Sequence, residues 1–255
     1  MSTGGTSPEQ AIVVGAGGSL GTVIVDGLMS AGLQVIGIAR STASLADLAA
    51  RHPGTFVPLV ADMGTDDAVE VVRAAISKTV AMVVHAPGVP VAGGIKAAPT
   101  AALVEACNIK VGGFVRLVRA AEPFLRKHSR LVAIGGHYGF EPTAYAATAG
   151  VANAALANVV RQISWAYGGS GVTSHLLAPG PADTERLHRV AETRGAASGQ
   201  TTVDVLDEMR AESAIGALVE PAQIAWAVRL LLDKEADVLA GSAMMLDAGR
   251  RRGLP

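Results

Sequence analysis

The chain has a single cysteine, Cys107, so no disulfide can close within it and no thiolate metal cluster can form. A reducing compartment fits that count, and we expect a cytoplasmic protein. Aromatic residues make up 4% and charged residues 17% of the 255, against 50% hydrophobic. Such scarcity of charge excludes general disorder, which has the opposite composition. Neither sign is in surplus: 21 Lys plus Arg face 22 Asp plus Glu, a formal net charge of -1. That balance gives no drive toward nucleic acid or a membrane surface. Long apolar runs are missing too. The nearest to one, Thr143 to Val160, is mostly Ala, carries Asn153 and Asn158 and meets Arg161, so it reads as a buried helix. The six histidines show no close pairing of metal-ligand type, and no metal site is expected. Met1 to Gln10 lacks the basic start and apolar stretch of a signal peptide and reads as a flexible tail. Lysine is the last scarcity: only five occur, and none stands between Lys127 and Lys234.

What is present is a regular alternation. Short β-branched runs recur between helical patterns at the spacing of βαβ units. Strands are expected at Ala11–Val14, Gln34–Ile38, Phe56–Val60, Val80–Val84, Arg130–Ile134, Val172–Leu177 and Gly241–Leu246. Helices are expected at Gly18–Ala31, Ser44–Arg51, Thr65–Ser77, Thr100–Lys127, the Ala-rich stretch and Pro221–Leu232. Strands apolar throughout are covered on both faces. Residues 11–255 therefore read as one α/β domain, a doubly wound, Rossmann-like, seven-stranded parallel sheet with helices on both faces. The connection from Gly180 to Glu220 holds two short helical patterns, and residues 181–218 read as a lid over a site.

Directly after the first strand runs Gly15-Ala16-Gly17-Gly18-Ser19-Leu20-Gly21, opening into a helix. Residues without side chains let backbone approach a pyrophosphate, and the helix N-terminus supplies amide donors. Glycines also serve tight turns, but this position between strand and helix favours a nucleotide. About twenty residues on, where an acid would bind the ribose 2'-hydroxyl of NAD, stands Ala39. Arg40 and Ser41 follow it and suit a 2'-phosphate, so NADP(H) is preferred over NAD(H). Asp62, with Met63 after it, follows the third strand and can accept from an adenine amino group; a helix-capping role for Asp62 or Thr65 competes.

With those residues placed, the chain resembles the short-chain dehydrogenase/reductase family over nearly its whole length. Gly15 to Gly21 is similar to the family's TGxxxGxG signature, with Val14 for Thr and Ser19 for the middle Gly. His85-Ala86-Pro87-Gly88 stands where the family has Asn-Asn-Ala-Gly, and Asn108 at its active-site Asn. Pro179-Gly180 with Thr184 matches the PGxxxT segment at the nicotinamide end, and Gly241 with Asp247-Ala248-Gly249 matches the last strand. The resemblance implies a Ser-Tyr-Lys centre in which Tyr moves the substrate proton, Ser orients the substrate, and Lys lowers the Tyr pKa and holds the ribose. Tyr145 is present, but Ala149 replaces the lysine of YxxxK, one helical turn away. The serine pair appears as Gly135-Gly136, followed by His137 and Tyr138, and the interval to Tyr145 is several residues short. A phenol without a neighbouring cation keeps a pKa of about 10, which suits proton donation better than proton abstraction. His137 and Tyr138 are candidate substitutes for the serine, against a plain packing role.

Three functions remain open. The first is an NADP(H)-dependent reductase of a carbonyl or other polarised double bond on a small molecule, using Tyr145, Asn108 and either His137 or Tyr138. The second is a redox-inactive subunit paired with an active homologue. The third is a non-redox enzyme on the same scaffold. The small residues Ala146, Ala147, Gly150, Ala154 and Ala157 leave a helix surface open to close approach. The resemblance implies a homodimer or homotetramer.

Overall fold

The structure is a computed structural model and describes residues 8–90 and 93–253. Seven strands form one all-parallel sheet in the order β3-β2-β1-β4-β5-β6-β7. They are β1 Gln10–Val14, β2 Gln34–Ala39, β3 Phe56–Val60, β4 Val80–His85, β5 Leu125–Ile134, β6 Thr173–Pro179 and β7 Ala243–Leu246. The nine α-helices among the described residues are α1 Ser19–Ser30, α2 Ala46–Arg51, α3 Ala68–Ala75, α4 Thr100–Cys107, α5 Gly113–Ala121, α6 Ala147–Tyr167, α7 Glu185–Ser198, α8 Thr202–Ala211 and α9 Pro221–Leu230.

The expected doubly wound α/β fold is what forms, and the burial pattern shows why. Strands β1, β4 and β6 are buried at every residue, so each presents apolar side chains to both faces. On one face, Ala11, Val13, Val35 and Val84 pack under Ile24 and Leu28 of α1 and Ile224 and Val228 of α9. On the other, Ile12, Ile36, Val83 and Leu131 pack under Val72 of α3, Phe114 and Leu117 of α5, and Leu156 and Val160 of α6. The Ala-rich stretch thus buries one stripe of α6, while Trp165 on its opposite side stays 87% exposed. No described helix is long and apolar enough to cross a membrane.

Several boundaries differ from expectation. Gln10, expected in the tail, opens β1 and is buried; the rest of that tail up to Ser7 lies outside the described residues. The helix expected to run unbroken from Thr100 to Lys127 is α4, a π-helical turn at Asn108–Gly112 and α5. It ends because Pro123 lacks an N–H and restricts the residue before it. Strand β5 then starts at Leu125, five residues before its apolar part, with His128 at φ 69° where its pairing with β4 slips. Helix α3 begins at Ala68 behind Asp67, so neither Asp62 nor Thr65 caps it. The connection after β6 holds α7 and α8 as expected, around a small core of Ala191, Val205, Leu206, Met209 and Leu218.

Within the sheet, Arg130 of β5 is wholly buried and well partnered. Its guanidinium donates to Leu231 O at 2.6 Å, Thr173 Oγ1 at 2.9 Å and Asp233 O at 2.9 Å, and pairs with Asp237. A buried charge persists when it is paired and each of its nitrogens finds an acceptor, as here.

Three histidines are also buried. Burial pushes the pKa of His85 down to about 3 and those of His137 and His175 down to about 4. The unfolded chain protonates the same groups near pH 6.5. Between those limits the unfolded state binds more protons, so stability is full above about pH 6.5 and declines as pH falls toward 4. The expected slope is up to ~1.4 kcal/mol per pH unit for each histidine. Urea unfolding at pH 7, 6 and 5 should show the decline; equal stabilities across the three would contradict it.

Candidate functional site

The strand order reverses at β1, whose neighbours β2 and β4 lead the chain away in opposite directions. A crevice opens there at the carboxyl ends, where ligands of such sheets bind. The loop that fills it is Gly15 to Gly18. Gly15 takes φ 79° and lies against the Ala86 backbone, where an added Cβ would come within 3.0 Å of Ala86 O. At Gly17 a Cβ would meet the Ser44 carbonyl oxygen at 2.2 Å, and at Gly21 the Gly15 oxygen at 2.0 Å. Glycine at 17 and 21 lets the loop fold onto itself and onto the segment after β2. Gly18 is the N-cap of α1 and offers no side chain, so no side chain caps the first turn, where Ser19 and Leu20 stand. This is a cradle of free amides with a positive dipole end, and it fits a pyrophosphate.

Beside it, Arg40 and Ser41 are exposed, and Arg40 forms no ion pair among the described residues. Ser44 lies 3.3 Å from Ser41, hydroxyl to hydroxyl, and donates to Ser41 O at 2.8 Å. Ser41 and Ser44 thus form a small exposed hydroxyl pair just after Arg40, and Ser44 was not visible as a site residue in the sequence. Its signal there was a serine four residues past Arg40, the basic residue that follows β2. Asp62 is exposed and accepts from Gly64 N at 2.9 Å, holding a turn, while Met63 is buried in the core. Ala86 and Pro87 are half-buried and Gly88 is exposed, leading from β4 into the crevice. Pro179 ends β6, Gly180 packs on Asp247, and Thr184 caps α7 by accepting from Leu187 N at 3.4 Å.

The polar centre lies past β5. Tyr138 and Tyr145 share a hydroxyl-to-hydroxyl hydrogen bond, with their rings edge-on and centroids 5.6 Å apart. His137, buried, stacks on Tyr138 at 4.0 Å. Desolvation, helped by Arg250, depresses the His137 pKa to about 4, so at neutral pH it is an uncharged ring. Burial raises the Tyr138 pKa above the ordinary phenol value, and the bond to Tyr145 adds to this. Tyr145 precedes α6 rather than lying in it, so Ala149, in the first turn, is not its helical neighbour as expected. A cation nevertheless stands beside it. The Arg194 guanidinium from α7 lies 5.4 Å from the Tyr145 ring centre.

The basic residues of α7 divide. His188 and Arg189 are paired at the surface with Asp183 and Glu185, whereas Arg186 turns inward and donates to Val89 O at 2.5 Å. Arg250 is placed by a tight turn after β7: Asp247 accepts from Gly249 N and Arg251 N at 3.1 and 3.0 Å. Arg250 then pairs with Glu212, while Arg252 N and Gly253 N donate to Glu141 beyond β5.

Asn108 makes its hydrogen bonds to groups other than Tyr145. Its amide donates to Gly64 O at 3.0 Å and its oxygen accepts from Arg116 at 2.9 Å, tying the π-helical turn to the loop after β3. His85, wholly buried, donates Nε2–H to Ile109 O at 2.9 Å on the same turn; a Cβ at Gly113 would collide with its ring at 2.8 Å. Within this turn stands Lys110, 5% exposed, its Nζ donating to Ile134 O at 2.8 Å. No metal-holding cluster of His, Cys, Asp or Glu occurs among the described residues.

A glycine loop at the switch point of a doubly wound parallel sheet, with a phenol pair beyond β5, is the arrangement of a Rossmann-type fold. A family profile described as Enoyl-(Acyl carrier protein) reductase matches residues 15–251, and the chain belongs to the short-chain dehydrogenase/reductase family. Among solved structures, L-sorbose reductase from Gluconobacter frateurii, complexed with NADPH and L-sorbose, has a TM-score of 0.87 at 20% identity, covering 98% of this chain and 99% of its own. YwfH, an NADPH dependent reductase involved in bacilysin biosynthesis, has a TM-score of 0.86 at 18% identity, with 97% and 100% covered. A short-chain dehydrogenase/reductase from Serratia marcescens BCRC 10948 has 0.83 at 23% identity, with 95% and 97% covered. A search of curated protein sequences returns no match. At these identities the structural likeness carries the fold. The family match makes the chain an oxidoreductase of this family.

The cradle can be tested without a ligand. Gly17→Ala drives a Cβ into backbone that cannot move aside cheaply, and should destabilise by about 1–3 kcal/mol. Gly18→Ala meets only Gly15 O at 3.4 Å and should be close to neutral. Denaturant titration of the two variants distinguishes them; equal stabilities would contradict the packing described.

Proposed function

We propose that the protein is an NADP(H)-dependent reductase of a carbonyl or other polarised double bond on a small molecule, with Tyr145 as proton donor. The observation that carries this is the Tyr138–Tyr145 hydroxyl pair at the carboxyl edge of a sheet whose first loop is a phosphate cradle. Arg40, Ser41 and Ser44 would hold the 2'-phosphate, Gly15 to Gly21 the pyrophosphate, and Gly88, Pro179, Gly180 and Thr184 would border the nicotinamide end. When bound, NADPH supplies the hydride.

The chain's own residues handle the proton. Tyr145, 39% exposed, presents its hydroxyl to a substrate entering from the lid side. As the substrate oxygen gains charge, Tyr145 releases its proton to it, and Arg194 over the ring favours the phenolate that remains. Tyr138, whose raised pKa keeps it protonated, donates a hydrogen bond to that phenolate and occupies the place of the missing serine, and solvent returns the proton to the exposed Tyr145. His137 is uncharged near neutrality and acts as a platform and hydrogen-bond donor rather than an acid reservoir. Asn108 maintains the helix geometry beneath.

The protein is also proposed to be a homodimer or homotetramer. Ala154 and Ala157 of α6 line a groove with Phe140 and the exposed Trp165, beside the free edge at Ala243. Ala146 and Ala147, in contrast, are buried within the subunit and cannot contribute. Sedimentation should give a species of at least twice 25.8 kDa; a sole 25.8 kDa species would refute association.

Titration of NADPH and NADH against the protein tests cofactor choice. NADPH should bind more tightly, and Arg40→Ala should weaken NADPH about tenfold or more while sparing NADH, since one charge-assisted phosphate contact is lost. No binding of either nucleotide would sink the proposal. With a ketone substrate found by NADPH consumption, Tyr145→Phe should lower kcat about 10²- to 10⁴-fold, the range of one general acid. Unchanged turnover in that variant would remove Tyr145 from the mechanism.

A further inference from the structure

Lys110 is the one buried lysine among the described residues, and the proton chemistry above makes no use of it. Its ammonium has three N–H donors, and one protein acceptor meets them, the Ile134 carbonyl at 2.8 Å. No carboxylate pairs with it among the described residues. Its charged or titratable neighbours are Arg186 of the lid and the uncharged His85, and burial with Arg186 depresses its pKa to about 7. A purely structural role explains this poorly. An ammonium buried on a single carbonyl is costly, and an apolar side chain of the same length would serve packing better.

Its placement explains more. Ile134 is the last residue of β5, His85 the last of β4, and Arg186 reaches Val89 O just beyond β4. Lys110 therefore lies under the crevice at the carboxyl ends of β4 and β5. A π-helical turn carries it there, and such turns often sit at functional sites. A dinucleotide with its 2'-phosphate at Arg40 beyond β2 and its pyrophosphate on the cradle beyond β1 continues, in sheet order, over β4 and β5. The group that reaches Lys110 is the second nucleoside, whose sugar hydroxyls are acceptors for the idle N–H groups. Ala149 packs in the same small apolar cluster as Ile109, the residue before Lys110, so position 149 borders this turn.

We propose that Lys110 is the cation that holds the nicotinamide-side ribose, supplied by the helix of Asn108 in place of position 149. It rests on the NADP(H) reading above.

The test is fluorescence titration of Lys110→Met with two probes, NADPH and adenosine 2',5'-bisphosphate; the second lacks the nicotinamide riboside. Wild-type protein that binds neither probe refutes the cofactor reading itself. If wild type binds both, Lys110→Met should weaken NADPH about ten- to thirtyfold, as expected for losing hydrogen bonds to a charged group, and leave the bisphosphate unchanged. The unliganded variant should melt no lower than wild type, because a buried charge has been removed. Adding Ala149→Lys to Lys110→Met should restore most of the NADPH affinity. Equal losses for both probes, an unchanged NADPH affinity, or a lower melting temperature with no rescue would each overturn the proposal.

Discussion

The reversal of strand order at β1 is the constraint on which the molecule depends. Because β2 and β4 flank β1 and their chains depart in opposite directions, no helix can cover the carboxyl end of the sheet at that point. The gap has to be closed by backbone, and only residues without side chains come close enough. Gly15 reaches the segment after β4, Gly17 the segment after β2, and Gly21 folds the helix start back onto Gly15. One loop thus holds together the two halves of the sheet and leaves the first amides of α1 free. The same packing that stabilises the fold creates the anion-binding surface.

Most of the sheet was legible in the sequence because a strand covered on both faces is a run of apolar residues with little else to be. Phe56–Val60 needed no revision. Failures came where polarity and structure part company. Arg126, Lys127 and His128 are polar yet lie in β5, since that end of the strand runs past the buried sheet to its rim. Tyr145 was expected on a helix that starts two residues later, so the geometry inferred for Ala149 did not hold. The cradle, by contrast, was plain, because glycines between a strand and a helix have few other reasons to cluster.

The cations of the crevice were the least legible part. Arg186, His188, Arg189 and Arg194 are one basic helix in sequence, and only the fold separates the two that pair at the surface from the two that turn inward. Lys110 was hidden for a related reason. The lysine scarcity around Tyr145 was measured along the chain, whereas helices from different parts of the chain meet over β4 and β5. A lysine in a helical pattern ordinarily points to solvent, and the π-helical turn that redirects this one leaves no mark in hydrophobic periodicity.

The turn after β7 joins parts that are otherwise separate. Arg250 grips α8 through Glu212 and Met209 O, and the backbone of Arg252 and Gly253 grips Glu141, on the segment that leads from Tyr138 to Tyr145. The α8 segment and the stretch bearing the two phenols are therefore fastened to one short clasp. One short turn thus fixes two segments that share no hydrogen bond with each other among the described residues, and a change at Arg250 or Asp247 reaches both.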